Sequence, residues 1–164
     1  MSDVKVLIIM GSINDRTIMD GAKKTLDEFG VSSRMIVASA HRTPDKTAKL
    51  ASEAKANGTK VIIAGAGFAA HLAGVIAAHT TLPVIGVPLD SSPLKGIDSL
   101  YSTVQMPSGI PVATMSVGSA GARNAGIFAT QVIALSDEEL AGKLVDFEKK
   151  MAEKVEAADR ELNA

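Results

Sequence analysis

Five short apolar runs recur along the chain: Val4 to Met10, Met35 to Ala38, Val61 to Ala64, Val84 to Val87 and Val112 to Val117. Most of their residues are β-branched, and continuous apolar runs of this length are the pattern of strands buried on both faces. The segments between them have helical length and spacing. Strand and helix therefore alternate, and right-handed crossovers join such strands into a parallel sheet with helices on both faces. The predicted fold class is α/β, a three-layer flavodoxin-like sandwich with a central parallel sheet and a long C-terminal helix.

Boundary signals sharpen this outline. Thr43-Pro44-Asp45 reads as a helix start, with Thr as N-cap, Pro in the first turn and an acid beside the positive dipole end. Asn57-Gly58 closes that helix. Ser136-Asp-Glu-Glu139 reads as a capping box opening the last helix, whose Leu140, Leu144, Phe147, Met151 and Val155 form one apolar stripe. Ala69 to Ala78 and Ala120 to Leu135 are predicted helices rich in Ala, Gly and aliphatics and nearly uncharged. A helix apolar all round needs burial on all sides, so these two predict a homo-oligomer.

At 164 residues the chain predicts one domain, 1–164, able to bury a core without staples. It has no cysteine, which excludes disulfides, thiolate metal sites and a thiol nucleophile. The net charge is −1 and Lys and Arg are scattered, so there is no nucleic-acid footprint. Aromatics are 3% without Trp, against a stacking platform for single strands. Mean hydropathy is +0.21, yet no apolar stretch is long enough for a bilayer. Met1-Ser-Asp-Val-Lys5 lacks a signal pattern, so the expected location is cytoplasmic, away from membranes.

Three loops that leave apolar runs carry the candidate chemistry: Met10-Gly-Ser-Ile-Asn-Asp15, Ser39-Ala-His-Arg-Thr-Pro44 and Ala64-Gly-Ala-Gly-Phe-Ala-Ala-His-Leu72. Loops at the carboxyl ends of parallel strands converge on one crevice, which predicts a shared small-molecule site. Gly11 lets the first loop turn sharply, and amides at the following helix start suit a phosphate. Asp15 suits ribose hydroxyls, although capping of the helix by Ser12 or Asp15 is the simpler role. In the second loop, Arg42 offers a bidentate contact to phosphate or carboxylate and Ser39 a hydroxyl. His41 can give and take a proton near neutrality; packing over the sheet end, with Arg42 paired to a surface acid, is the equal alternative.

In the third loop, Gly65 and Gly67 permit close approach of backbone to ligand, while Ala66, Ala69 and Ala70 leave a small apolar hollow beside His71. A metal held by His41 and His71 finds no carboxylates at ligand spacing, so His71 is read as a pocket wall and His79 as a surface residue. Ser91 to Ile110 reads as a loop and short helix that either covers the site or simply connects. Gly118-Ser119-Ala120-Gly121 resembles a nucleotide-binding turn without the full fingerprint.

Taken together, Gly11-Ser12 with Asp15, Ser39-Ala-His-Arg-Thr-Pro-Asp45, Ala64-Gly-Ala-Gly67 with Ala69-Ala-His-Leu72, Asp98-Ser-Leu100, Gln105-Met-Pro107 and Asn124-Ala125 form a specific set. Over roughly residues 4 to 135 the chain closely resembles the class I N5-carboxyaminoimidazole ribonucleotide mutases of purine biosynthesis. In that family a carboxylate moves from an exocyclic nitrogen to ring carbon four without metal or organic cofactor. The resemblance implies a nucleotide substrate, no cofactor, no metal and an octamer. It also implies His41 as the catalytic proton carrier, Ser12, Asp15, Ser39, Arg42, Gly67, Ala70, His71 and Leu72 as substrate-binding residues, and the small Ala/Gly hollow beside His71 as a place for carbon dioxide.

The chain departs from the usual pattern at Asn14, Phe68 and Ala73, where that family has serine, glycine and proline. A ring at position 68 either points away from the pocket or narrows it and alters the substrate. Rival readings are a direct carboxylase of aminoimidazole ribonucleotide, a paralogue for another heteroaromatic nucleotide, and a non-catalytic nucleotide- or flavin-binding module. The last predicts binding indifferent to His41→Asn.

Overall fold

The computed structural model describes residues 4–164, so the reading of the first three positions lies outside the described residues. The chain runs β1 (Val6–Met10), a 3-10 turn (Ile13–Asp15), α1 (Arg16–Phe29), β2 (Ser33–Val37), α2 (Pro44–Ala54), β3 (Val61–Ala66) and α3 (Leu72–Ala77). It continues through β4 (Val84–Pro88), α4 (Ile97–Val104), β5 (Ala113–Thr114), α5 (Ser119–Ala134) and α6 (Glu138–Leu162). The strands form one parallel sheet in the order β2-β1-β3-β4-β5. The connection from β1 to β2 runs one way across the sheet and that from β2 to β3 runs back, so the switch point lies between β1 and β3. Met10 pairs with Val37 on one side and Gly65 on the other, so the three chemically loaded loops leave the sheet at one edge.

Alternation along the strands separates two cores. Val6, Ile8 and Met10 of β1 face Met19, Ala22 and Leu26 of α1 and Ala122, Ala125 and Ala129 of α5, with Leu140 of α6 at the margin. Leu7 and Ile9 face Ala51 and Ala54 of α2 and Leu72, Ala73 and Ile76 of α3. Each large aliphatic side chain so buried stabilises the fold by roughly 1.5–3 kcal/mol.

The small residues of α5 serve this packing within the protomer. A Cβ on Gly126 would come within 2.8 Å of Thr25 Cβ and 2.9 Å of Ala22 O; the helix is Ala- and Gly-rich because α1 lies against it. The face of α5 turned away from α1 keeps Phe128 and, just past the helix end, Leu135 exposed, 37% and 89%. Exposed large apolar groups lie mainly on α4 and its approach (Leu94, Ile97, Tyr101, Val104) and on the far half of α6 (Met151, Val155, Leu162).

Several predicted boundaries shift. β1 starts at Val6, not Val4. β2 is an edge strand with only half-buried and exposed residues, and β5 keeps only Ala113 and Thr114 of the run Val112 to Val117; an edge strand has one partner and less cover. α3 spans Leu72–Ala77, not Ala69 to Ala78, because Phe68 takes a left-handed conformation and 69–71 form a turn. Asp137, not Ser136, caps α6: its Oδ1 accepts from Leu140 N at 3.0 Å, while the Ser136 backbone closes the turn after α5 onto Ile133 O. Along α6, Leu140, Leu144 and Phe147 pack on the core, with Phe147 edge-on to Phe29 at 5.3 Å. Met151 and Val155 lie beyond the body, 45% and 70% exposed, because the helix outruns it. Among the described residues no helix is long and apolar enough to cross a membrane.

Candidate active site

The first loop is a capping device as well as a wall. Ser12 Oγ accepts from Asn14 N at 3.2 Å, and Asp15 Oδ2 accepts from Ser12 N at 3.0 Å. Asp15 is buried, and that burial pushes its carboxyl above the usual range, partly opposed by the bond from Ser12 N–H. Its second oxygen has no hydrogen-bond partner among the described residues. A buried carboxylate with one spare acceptor is suited to a ligand hydroxyl.

The second loop holds itself together. Thr43 Oγ1 accepts from Ser39 N at 2.9 Å and donates to Ser39 O at 3.1 Å, while Ser39 Oγ accepts from Arg42 N at 3.2 Å. Thr43 therefore occupies the N-cap position of α2 without the predicted side-chain cap; its hydroxyl is spent on Ser39. This ties the backbone on both sides of His41 and leaves the His41 and Arg42 side chains exposed. Arg42 makes no ion pair among the described residues, so the predicted alternative of a surface acid is not realised.

The third loop brings the second imidazole to the first. His71 N donates to Ala69 O at 2.8 Å, a tight turn that places His71 at the mouth of α3. His41 Nε2 and His71 Nδ1 are 2.9 Å apart, with the rings edge to face at 78°. One nitrogen of the pair donates and the other accepts, so each ring restricts the other's tautomer and orientation. A Cβ on Gly67 would meet Ser91 Oγ, so the third loop runs against the side chain of Ser91, just after β4. Phe68 follows with φ 56°, a conformation that costs a bulky residue on the order of 1 kcal/mol. Its ring is 57% exposed.

These loops enclose a cleft of about 600 Å³. Ser12, Asp15, Ser39, His41, Arg42, Gly67, His71 and Leu72 all line it. Ala70 does not: it is buried behind the loop, because the turn at Ala69–His71 directs its methyl into the protein. Phe68 lines the cleft rather than turning away, and Ala40, Ala66 and Ala69 supply small apolar wall. Ser91 was not foreseen as a wall residue, although it follows β4 as the other loops follow their strands. The rest of that segment is built structure: Ser92 Oγ donates to Asp98 Oδ1 at 2.8 Å and Ser99 Oγ to Leu89 O at 2.8 Å. Gly118 seats on Pro88 O at 2.9 Å and lies outside the cleft wall. Among the described residues no three His, Asp or Glu side chains gather as metal ligands.

The chain is similar to several proteins that share one name. The N5-carboxyaminoimidazole ribonucleotide mutase of Vibrio parahaemolyticus is 55% identical over 152 residues, covering 93% of this chain and 94% of that protein. The mutase of Escherichia coli K12 is 50% identical over 151 residues, 92% of this chain and 89% of its own. The crystal structure of Treponema denticola PurE superposes with a TM-score of 0.88 at 28% identity, over 97% of this chain and 98% of that one. The AIR carboxylase family model matches residues 5–154. With the histidine pair, the glycine approach and the sheet order all lying inside that match, the chain belongs to the AIR carboxylase family.

Proposed function

We propose that the chain, acting as one domain over 1–164, is a cytoplasmic mutase that converts N5-carboxyaminoimidazole ribonucleotide to 4-carboxy-5-aminoimidazole ribonucleotide. The observation that carries this reading is the 2.9 Å contact between His41 and His71 in a cleft that also holds an unpaired guanidinium and a buried carboxylate. Arg42, with the Ser12 and Ser39 hydroxyls, suits the phosphate, and Asp15 suits the ribose hydroxyls. His41 is the proton carrier. The bond from nitrogen to the carboxylate carbon breaks, its electron pair stays on nitrogen, and the imidazolium of His41 protonates that nitrogen as carbon dioxide departs. Carbon four then attacks carbon dioxide, and neutral His41 removes the carbon-four proton, which restores the imidazolium. One group serves both steps, so the proton balance closes on itself. Between the steps, the small wall of Gly67, Ala40, Ala66 and Ala69 holds a neutral gas by shape.

The test is turnover of N5-carboxyaminoimidazole ribonucleotide in carbon-13 bicarbonate, with the product carboxylate read by mass spectrometry. Unlabelled product is the expected result. Labelled, bicarbonate-dependent product would point to direct carboxylation instead.

The reading extends to a homo-oligomer, with the octamer as the expected order. Its support is the exposed row Ile97, Tyr101 and Val104 on one face of α4 and the bare Met151 and Val155 of α6, since apolar rows of this kind mark contact surfaces. Light scattering of the purified protein gives the mass directly, and a monomer would end this part of the proposal.

A further inference from the structure

The observation left over is Phe68. It is one of two non-glycine residues among those described with positive φ, the other being Lys95. Its ring belongs to neither hydrophobic core and stands 57% exposed at the cleft. Folding therefore gains little from this side chain, and glycine would relieve the backbone.

We propose that Phe68 is a specificity-determining residue that stacks on the heteroaromatic ring of the nucleotide bound in the cleft. This rests on the nucleotide reading above. The cleft's other rings are the His41 and His71 imidazoles, already engaged edge to face with one another; its remaining apolar wall is alanine, glycine and Leu72. Phe68 is thus the one carbocyclic face available to a planar base. Offset stacking of such rings adds to simple burial. The side chain stands on a backbone in the left-handed region, φ 56°.

Calorimetric titration of the full chain with two probes separates the possibilities. One is 4-carboxy-5-aminoimidazole ribonucleotide; the other is ribose 5-phosphate, which lacks the base. In Phe68→Gly, the ribonucleotide binds about three- to tenfold more weakly, ribose 5-phosphate binds as before, and Phe68→Tyr restores the difference. Equal loss on both probes, no loss on either, or a change of oligomer mass without base-selective loss overturns the stacking role. The mutase reading fails separately: a parent protein that binds the ribonucleotide with Phe68-dependent selectivity but does not turn over its N5-carboxy isomer keeps the stack and loses the mutase. A parent that turns over, with an unselective Phe68→Gly, loses the stack alone. A parent that binds neither probe loses both.

Discussion

The cleft at the strand ends and the groove beneath α6 are of similar size and opposite construction. The groove, about 720 Å³, is lined by Glu28, Asp146 and Glu153 together with Arg123, Lys143, Lys150 and Lys154. Its charges stand on exposed helix faces. The cleft is smaller, about 600 Å³, yet several of its polar groups are held: Asp15 by Ser12 N–H, Ser39 by Thr43, and His41 by His71. Volume alone would point to the groove. Preorganised convergent groups point to the cleft, because a ligand or transition state gains most from groups that need not reorganise.

The largest test of this contrast is His41→Asn. Turnover should fall by roughly 10²–10⁴-fold, the usual range for loss of a general acid-base group, with the thermal melting curve unchanged because the side chain is exposed. Full activity in this variant would remove the cleft's claim to chemistry. Arg42→Ala should weaken nucleotide binding by roughly ten- to a hundredfold, as for one lost charge-assisted contact, and titration at two salt concentrations should show a reduced salt dependence. Matching Lys150→Ala and Lys154→Ala variants should bind as the parent does; a comparable loss there would make the groove a second part of the site.

On the other side of the contrast, Phe147→Ala removes the ring that meets Phe29 at 5.3 Å. It should cost roughly 2 kcal/mol, less than a fully buried ring because Phe147 is half-buried. Chemical denaturation measures this, and binding of the product nucleotide should be retained. The smallest effect is expected at Asp15. Burial raises its pKa, so the native state keeps the proton to higher pH than the unfolded chain, and ionisation above that range costs stability. Asp15→Asn keeps an acceptor for Ser12 N–H and should melt slightly higher at pH 7. The gain should vanish as pH falls through the carboxylate range, where the parent's Asp15 takes up its proton. A constant difference across pH would show that the charge is not the cause.

The legible parts of fold and site were those written in adjacent residues. Val6–Met10 and Val61–Ala66 are apolar throughout and were placed within a few residues; Thr43-Pro44-Asp45 marked the start of α2 because Pro is tolerated in a first turn and nowhere further in. Ser12, Ser39, His41, Arg42 and His71 were recognisable because polar groups directly after buried strands have few places to go except the carboxyl edge. Ala70 was misjudged because a turn of three residues decides which alanine faces the hollow. Ser91 was missed because its importance comes from Gly67, 24 positions earlier. The Ala and Gly residues of α5 owe part of their role to α1, which lies against Gly126, and that partner stands about a hundred positions earlier in the chain.

The chain by itself determined the alternation of strand and helix, the three loaded loops and the family they resemble, since periodicity, turn chemistry and motif spacing are local properties. Tertiary structure alone decided the strand order, the approach of His41 to His71 across 30 positions, the burial of Asp15 and the left-handed backbone beneath Phe68. Those depend on which distant segments share space, and free energies of desolvation, tautomer choice and backbone strain exist only once that neighbourhood has formed.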